Sequence, residues 1–186
     1  SQFMTYLCYM KLSDVHFILT DIEGTTTSIS FVYENLFPYF RKNISKLKDL
    51  AYLHEVNAAF EETKKLARET EGVRLTDTDE IIKTLLRWSN EDKKVTPLKT
   101  VQGILWDEGY KSGEIKGHIY PDVAPSLERW KNTGLEMGVF SSGSVAAQKL
   151  IFGYSTEGDL TPYFSAYFDT KTGGKRETET YYVISE

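Results

Sequence analysis

Apolar residues follow two different spacings along this chain. Short continuous runs occur at Val15 to Thr20 (VHFILT), Leu135 to Phe140 (LEMGVF) and Tyr163 to Phe168 (YFSAYF). Runs this short, rich in β-branched and aromatic residues, predict strands, the first of them fully buried. Elsewhere the apolar positions recur near helical spacing. Leu47, Leu50, Leu53, Val56 and Phe60 predict a helix over Ser45 to Thr70. Asp77 to Asn90 opens with acidic residues and then places Ile81, Ile82, Leu85 and Leu86, a second helix whose first turn suits the helix dipole. Leu98, Val101, Ile104 and Leu105 mark a third, from about Thr96 to Gly109. Asp122 opens a fourth, with Val123, Leu127 and Trp130 on one face and Gly134 as its stop. After Ser144 the pattern VAAQKLIF is helical again.

Strand, helices, strand, helix, strand, helix is the order of an α/β domain with a parallel sheet. The stretch between the first two strands is too long for one crossover, so a helical subdomain inserted after the first strand is expected. The expected division is residues 13–30 and 119–186 for the sheet-containing core and 31–118 for the helical insertion.

Composition narrows the function classes. With 186 residues there is room for one core domain and a smaller insertion. The formal net charge of -5 argues against non-specific nucleic-acid binding. No apolar run approaches the roughly 20 residues that span a bilayer, and the first residues carry no basic leader. Cys8 is the single cysteine, which leaves no internal disulfide or cysteine-ligated zinc and points to a reducing compartment. A cytoplasmic protein without nucleic-acid or membrane partners is expected.

The candidate chemistry lies where the strands stop. Ligands of open parallel sheets bind beyond the carboxyl ends of the strands. The first run ends in Asp21, Ile22, Glu23, Gly24 and Thr25. Two carboxylates so close repel unless a cation relieves them, and hard oxygen donors on a tight turn suit magnesium. Gly24 permits close backbone approach, and the Thr25 hydroxyl can fasten the turn. Read alone, a D-x-E is more often a capped turn. The second run ends in Ser141, Ser142, Gly143 and Ser144 ahead of a helix, where hydroxyls and free N–H groups can hold an anion or serve as an ordinary N-cap. The spacing around these serines is not that of a hydrolase nucleophile elbow. The third run leads into Lys171 and Lys175 around Gly173 and Gly174; the spacing there is wrong for a Walker-type loop. Carboxylates, hydroxyls and a cation at three successive strand ends are what phosphoryl transfer to a carboxylate requires.

In this order DIEGTTT, SSGS and Lys175 resemble the first three motifs of the haloacid dehalogenase-like phosphatases. The longer blocks ILTDIEGTTTSISFVYENLFPYF, LWDEGYKSGEIKGHIYPDV, FSSGSVAAQKLIFGYSTEGDL and YFDTKTGGKRETETY are similar to the enolase-phosphatase (acireductone synthase) family of methionine salvage. That resemblance covers about Val15 to Glu186 and is weakest over Lys42 to Asp92. It implies a Rossmann-like core with a helical cap, one magnesium ion, a monomer, and a cytoplasmic location with the nucleus as a second compartment. The implied substrate is a small phosphorylated metabolite, 2,3-diketo-5-methylthiopentyl-1-phosphate, enolised and then dephosphorylated. By motif position Asp21 is the nucleophile and a metal ligand, Glu23 is a catalytic acid and metal ligand, and Ser141, Ser142 and Lys175 bind the phosphate.

The pattern also departs from the superfamily. A further acidic motif and further strands are expected after Lys175, yet only Glu177, Glu179 and Glu186 follow it. Together with the start at Ser1, this leads to the expectation of a fragment or truncated product with little or no phosphatase activity by itself. The competing readings are another capped phosphatase for a small phosphomonoester, which Glu23 disfavours, and a catalytically inactive interaction module. A dehalogenase or phosphonate hydrolase lacks an acid at the position of Glu23.

Overall fold

The computed structural model describes residues 15–185; the positions of Cys8 and Glu186 lie outside them. Strands β1 (Phe17–Thr20), β2 (Glu136–Phe140) and β3 (Ala166–Phe168) form one sheet in the order β1-β2-β3. Both pairings are parallel, with Phe17 opposite Glu136 and Gly138 opposite Ala166. All three carboxyl ends therefore point the same way, which puts the turns after them side by side.

Helices α1 (Ile29–Phe31) and α2 (Phe37–Asn43) flank a π-helical turn at Val32–Leu36, and a 3-10 turn follows at Ile44–Lys48. The remaining helices are α3 (His54–Glu71), α4 (Thr78–Asn90), α5 (Thr96–Ser112), α6 (Val123–Asn132), α7 (Val145–Gly153) and α8 (Thr178–Ser185). Their ends follow their chemistry. Asp77 caps α4 by accepting from the Glu80 amide at 2.9 Å, Ser144 caps α7 through the Ala147 amide at 3.2 Å, and α3 and α5 end on Gly72 and Gly113 in the left-handed conformation.

Three expectations need correction. The helix read over Ser45 to Thr70 is broken: backbone bonds from Asp49, Leu50 and Ala51 to residues three earlier make a tight turn before α3 begins. Leu47 and Val56 are both fully buried. At ~100° per residue, nine residues of unbroken helix would put them on opposite faces, and the break restores the phase. The third strand is confined to Ala166–Phe168, because Tyr163 belongs to a 3-10 turn, Thr161–Tyr163, that contains Pro162. The first strand is not fully buried. Phe17 is 37% exposed and the rest is half-buried, because β1 borders the sheet among the described residues, whereas Met137, Val139 and Phe140 of β2 are covered on both faces.

Two apolar clusters hold the chain together. One joins the sheet residues Met137 and Val139 to Ile22, Phe31, Val32, Leu127, Ile151 and Phe152. The other contains no strand residue and packs Phe40, Leu47, Val56, Leu85, Trp88 and Val101. At about 1.5–3 kcal/mol for each large side chain fully buried, either cluster outweighs any single polar contact described below. Trp106 belongs to the first cluster but rides on α5, with its indole N–H donating to the Leu36 carbonyl at 2.9 Å. That links the helical part to the sheet part where the cavity described next opens.

Candidate active site

The turn after β1 is wound around one carbonyl. The amides of Thr25, Thr26 and Thr27 all donate to Ile22 O, at 3.1, 3.0 and 3.1 Å. The Gly24 amide reaches forward to Thr27 O at 2.8 Å, from a backbone φ of +76° that favours glycine. The threonine run is thus a scaffold, but not through Thr25, whose side chain is exposed. Thr26 and Thr27 are buried instead. The Thr26 hydroxyl donates to the Asp21 carbonyl at 3.2 Å. The Thr27 hydroxyl meets His118 Nδ1 at 3.1 Å, and the Ser28 amide donates to the same nitrogen at 3.1 Å. A ring nitrogen that accepts from an amide carries no proton, so the remaining proton of neutral His118 sits on Nε2. His118 was passed over in the sequence, where nothing links it to a turn some ninety residues earlier.

Asp21 follows β1 directly. Its Oδ1 accepts from the Ile22 amide at 2.7 Å, and its Oδ2 takes the Lys175 ammonium at 2.5 Å. Lys175 arrives from beyond β3, and its ammonium also lies 5.6 Å from the centre of the Phe140 ring. The fold therefore joins two of the sequence candidates, one acid and one cation, across three strands. Lys171, the other lysine considered, is exposed; its amide caps onto Asp169 Oδ1 at 2.9 Å.

The turn after β2 is held as firmly. Buried Ser141 accepts from the Gly143 amide at 3.3 Å. Gln148, 1% exposed, donates to the carbonyls of Gly143 and Phe168 at 2.9 and 2.8 Å, tying the turn to β3. Asp169 Oδ2 accepts from the Val145 amide at the start of α7, at 3.3 Å. This acid was missed in the sequence; its place immediately after a strand was the available signal. Ser144 spends its hydroxyl on capping α7, the ordinary role considered for it. Ser142 is left with no side-chain hydrogen bond among the described residues.

A cavity opens between the sheet's carboxyl end and the helices. Ile22, Glu23 and Ser141 to Ser144 form its floor; Val32, Leu36, Phe37, Leu98 and Trp106 form an apolar wall; Lys93, Lys94, Lys99 and Gln102 supply polar groups. Glu23, Ser141 and Ser142 thus share one cavity, and Asp21 with Lys175 stands at the adjacent strand ends, outside the cavity lining. Tyr110 also lines the cavity. Burial pushes its phenol well above the ordinary value, so it stays neutral, and its hydroxyl has no partner among the described residues.

No group of three His, Cys, Asp or Glu side chains converges among the described residues. The oxygen donors of Asp21 and Glu23 still fit a magnesium ion, which is commonly held by one or two carboxylates with water and substrate phosphate completing its shell.

No protein-family model matches the chain. Curated proteins do. The chain is 51% identical over 172 residues to enolase-phosphatase E1 of Picosynechococcus sp., covering 92% of this chain and 75% of that protein. It is 50% identical over 177 residues to enolase-phosphatase E1 of Hahella chejuensis, covering 94% and 73%. Among solved structures, the UTR4 protein (Unknown transcript 4 protein) of Saccharomyces cerevisiae superimposes with a TM-score of 0.72 at 33% identity, over 92% of this chain and 75% of that one. The chain spans about three quarters of the length of these relatives.

Proposed function

The chain belongs to the enolase-phosphatase family, and from that premise we propose that it binds 2,3-diketo-5-methylthiopentyl-1-phosphate, enolises it and hydrolyses its phosphate ester. The observation that carries the reading is the Asp21–Lys175 pair at the strand ends, beside a cavity with a hydroxyl-bearing floor and an apolar wall.

In this reading residues 13–30 and 119–186 are the phosphatase core, and 31–118 are the helical cap. Ser141, Ser142 and Lys175 hold the phosphate, and the apolar wall takes the methylthio end. Asp21 attacks phosphorus. Its Oδ1 is fixed by the Ile22 amide, and Lys175 offsets the repulsion between carboxylate and phosphate dianion. The ester P–O bond breaks, its electron pair leaves with the substrate oxygen, and Glu23 supplies the proton to that oxygen. Glu23 then accepts a proton from the water that hydrolyses the aspartyl phosphate. Magnesium, when bound by Asp21 and Glu23, supplies further charge neutralisation at the phosphate oxygens. We place the protein as a monomer in the cytoplasm, with the nucleus as a second compartment. Among the described residues no helix is long and apolar enough to cross a membrane.

The test is Asp21→Asn in a version extended to the full length of the Picosynechococcus relative. Phosphate release should fall by at least about 10³-fold while the circular dichroism spectrum is unchanged. Release at an undiminished rate by the variant refutes the proposal.

A further inference from the structure

Enolisation needs a cation of its own, because Lys175 of the phosphate site is already paired with Asp21. When a proton leaves the carbon next to a carbonyl, negative charge gathers on the carbonyl oxygen, and a fixed cation beside that oxygen is the strongest way to lower the barrier. Three lysines line the cavity, and the structure separates them. Lys93 is bound to Glu71 at 2.8 Å and lies 4.5 Å from the centre of the Trp88 ring, so its charge is already spent. Lys94 sits exposed at the rim.

Lys99 is different. It stands in the first turn of α5, on the same helical face as Gln102 and Trp106, three and seven residues on, and all three line the cavity. Its ammonium crosses from the helical wall to the floor and donates to the Ser142 carbonyl at 3.3 Å, its one hydrogen bond among the described residues. That bond is long and its acceptor neutral, so a better-placed carbonyl can replace it. Ser142 belongs to the turn assigned to phosphate, and the first ketone of the substrate is only three bonds from phosphorus. A ligand whose phosphate rests on that turn brings this ketone to the side where Lys99 waits.

We propose that Lys99 is the catalytic electrophile of the enolisation half-reaction; the proposal rests on the substrate assigned above. The C1–H bond breaks and its electron pair becomes the C1–C2 double bond. The carbonyl π pair moves onto oxygen, against the Lys99 ammonium, and the C1 proton passes to solvent water. Lys99 donates a proton to that oxygen, giving the enol, and recovers one from the hydronium ion just formed, so the step is a net isomerisation. Lys175, bound to Asp21, serves hydrolysis; Lys99 serves enolisation.

The test needs no ester cleavage. A 3-oxoalkyl phosphonate, whose ketone stands three bonds from phosphorus as in the substrate, and the plain alkyl phosphonate of equal length are titrated into the chain in magnesium buffer, and proton NMR in deuterium oxide then follows exchange at the carbon next to the ketone on its phosphorus side. The unsubstituted chain should bind both ligands and speed exchange in the keto ligand. In Lys99→Met, with an unchanged unfolding midpoint, the acceleration should fall by at least about 30-fold, and Lys99→Arg should restore part of it. Equal acceleration by Lys99→Met, or none by an unsubstituted chain that binds the keto ligand, overturns the role of Lys99 and leaves the phosphatase reading standing. Failure of the unsubstituted chain to bind either phosphonate overturns both.

Discussion

Glu71 closes α3 and holds together the part of the helical region that bears the cavity rim. Its Oε1 accepts from the Trp88 indole at 2.7 Å and from the Lys93 ammonium at 2.8 Å, while Oε2 takes the Arg87 guanidinium. These partners, Lys93 and Arg87 foremost, lower its pKa from the ordinary 4.5 to about 2. At about 1.36 kcal/mol per pK unit the difference corresponds to roughly 3 kcal/mol of stability. The carboxylate is 19% exposed and Arg87 46%, so solvent screening reduces the figure to about 1–2 kcal/mol. Because the folded-state value is depressed, the contribution is fully present above pH 4.5 and is lost as pH falls towards 2. Glu71→Gln should therefore lower the midpoint of thermal unfolding, followed by circular dichroism at pH 7, by about 2–8 °C for a chain of this size. The gap between variant and unsubstituted protein should shrink to about half near pH 3 and close near pH 2. A variant that melts within about 1 °C of the unsubstituted protein at pH 7, or a gap that does not narrow on acidification, would refute this account of the network.

Two further outcomes test how the site is supported. His118→Phe removes the acceptor shared by the Ser28 amide and the Thr27 hydroxyl, and should cost about 1–3 kcal/mol in urea unfolding; no change would mean that the β1 turn stands without it. Gly117→Ala would set a Cβ 2.1 Å from the Ile151 carbonyl oxygen, on a segment pinned by the Gly117 amide donating to Tyr154 O at 2.8 Å. It should cost more than about 2 kcal/mol, whereas Gly72→Ala, in open space at a left-handed φ, should cost about 1. Equal effects at the two glycines would contradict the packing described here.

The sequence by itself determined the class of fold, the helices α4, α5 and α6 to within a few residues, and where along the chain polar residues follow the buried runs. Those features are local: helical periodicity, an acid before an apolar run, or polar residues immediately after a buried run can all be read within a short window. Tertiary structure alone decided how the pieces meet. Leu47 and Val56 fit one helical pattern on paper, but both had to reach one core, and the chain broke the helix to let them. Thr26 and Thr27, not Thr25, became the scaffold of the first turn because His118 and Tyr120 close over it from ninety residues away, Tyr120 through its amide to the Thr26 carbonyl at 3.0 Å. Asp169 and Gln148 look like an ordinary acid and amide until β2 and β3 pair and set Asp169 against the first turn of α7 and Gln148, on α7, against the end of β3. Lys99 is carried by α5 onto the Ser142 carbonyl, whereas Lys94, just before that helix, stays exposed at the rim. Sequence spacing encodes what a residue does with its neighbours in the chain, and distant contacts exist only once the core has packed.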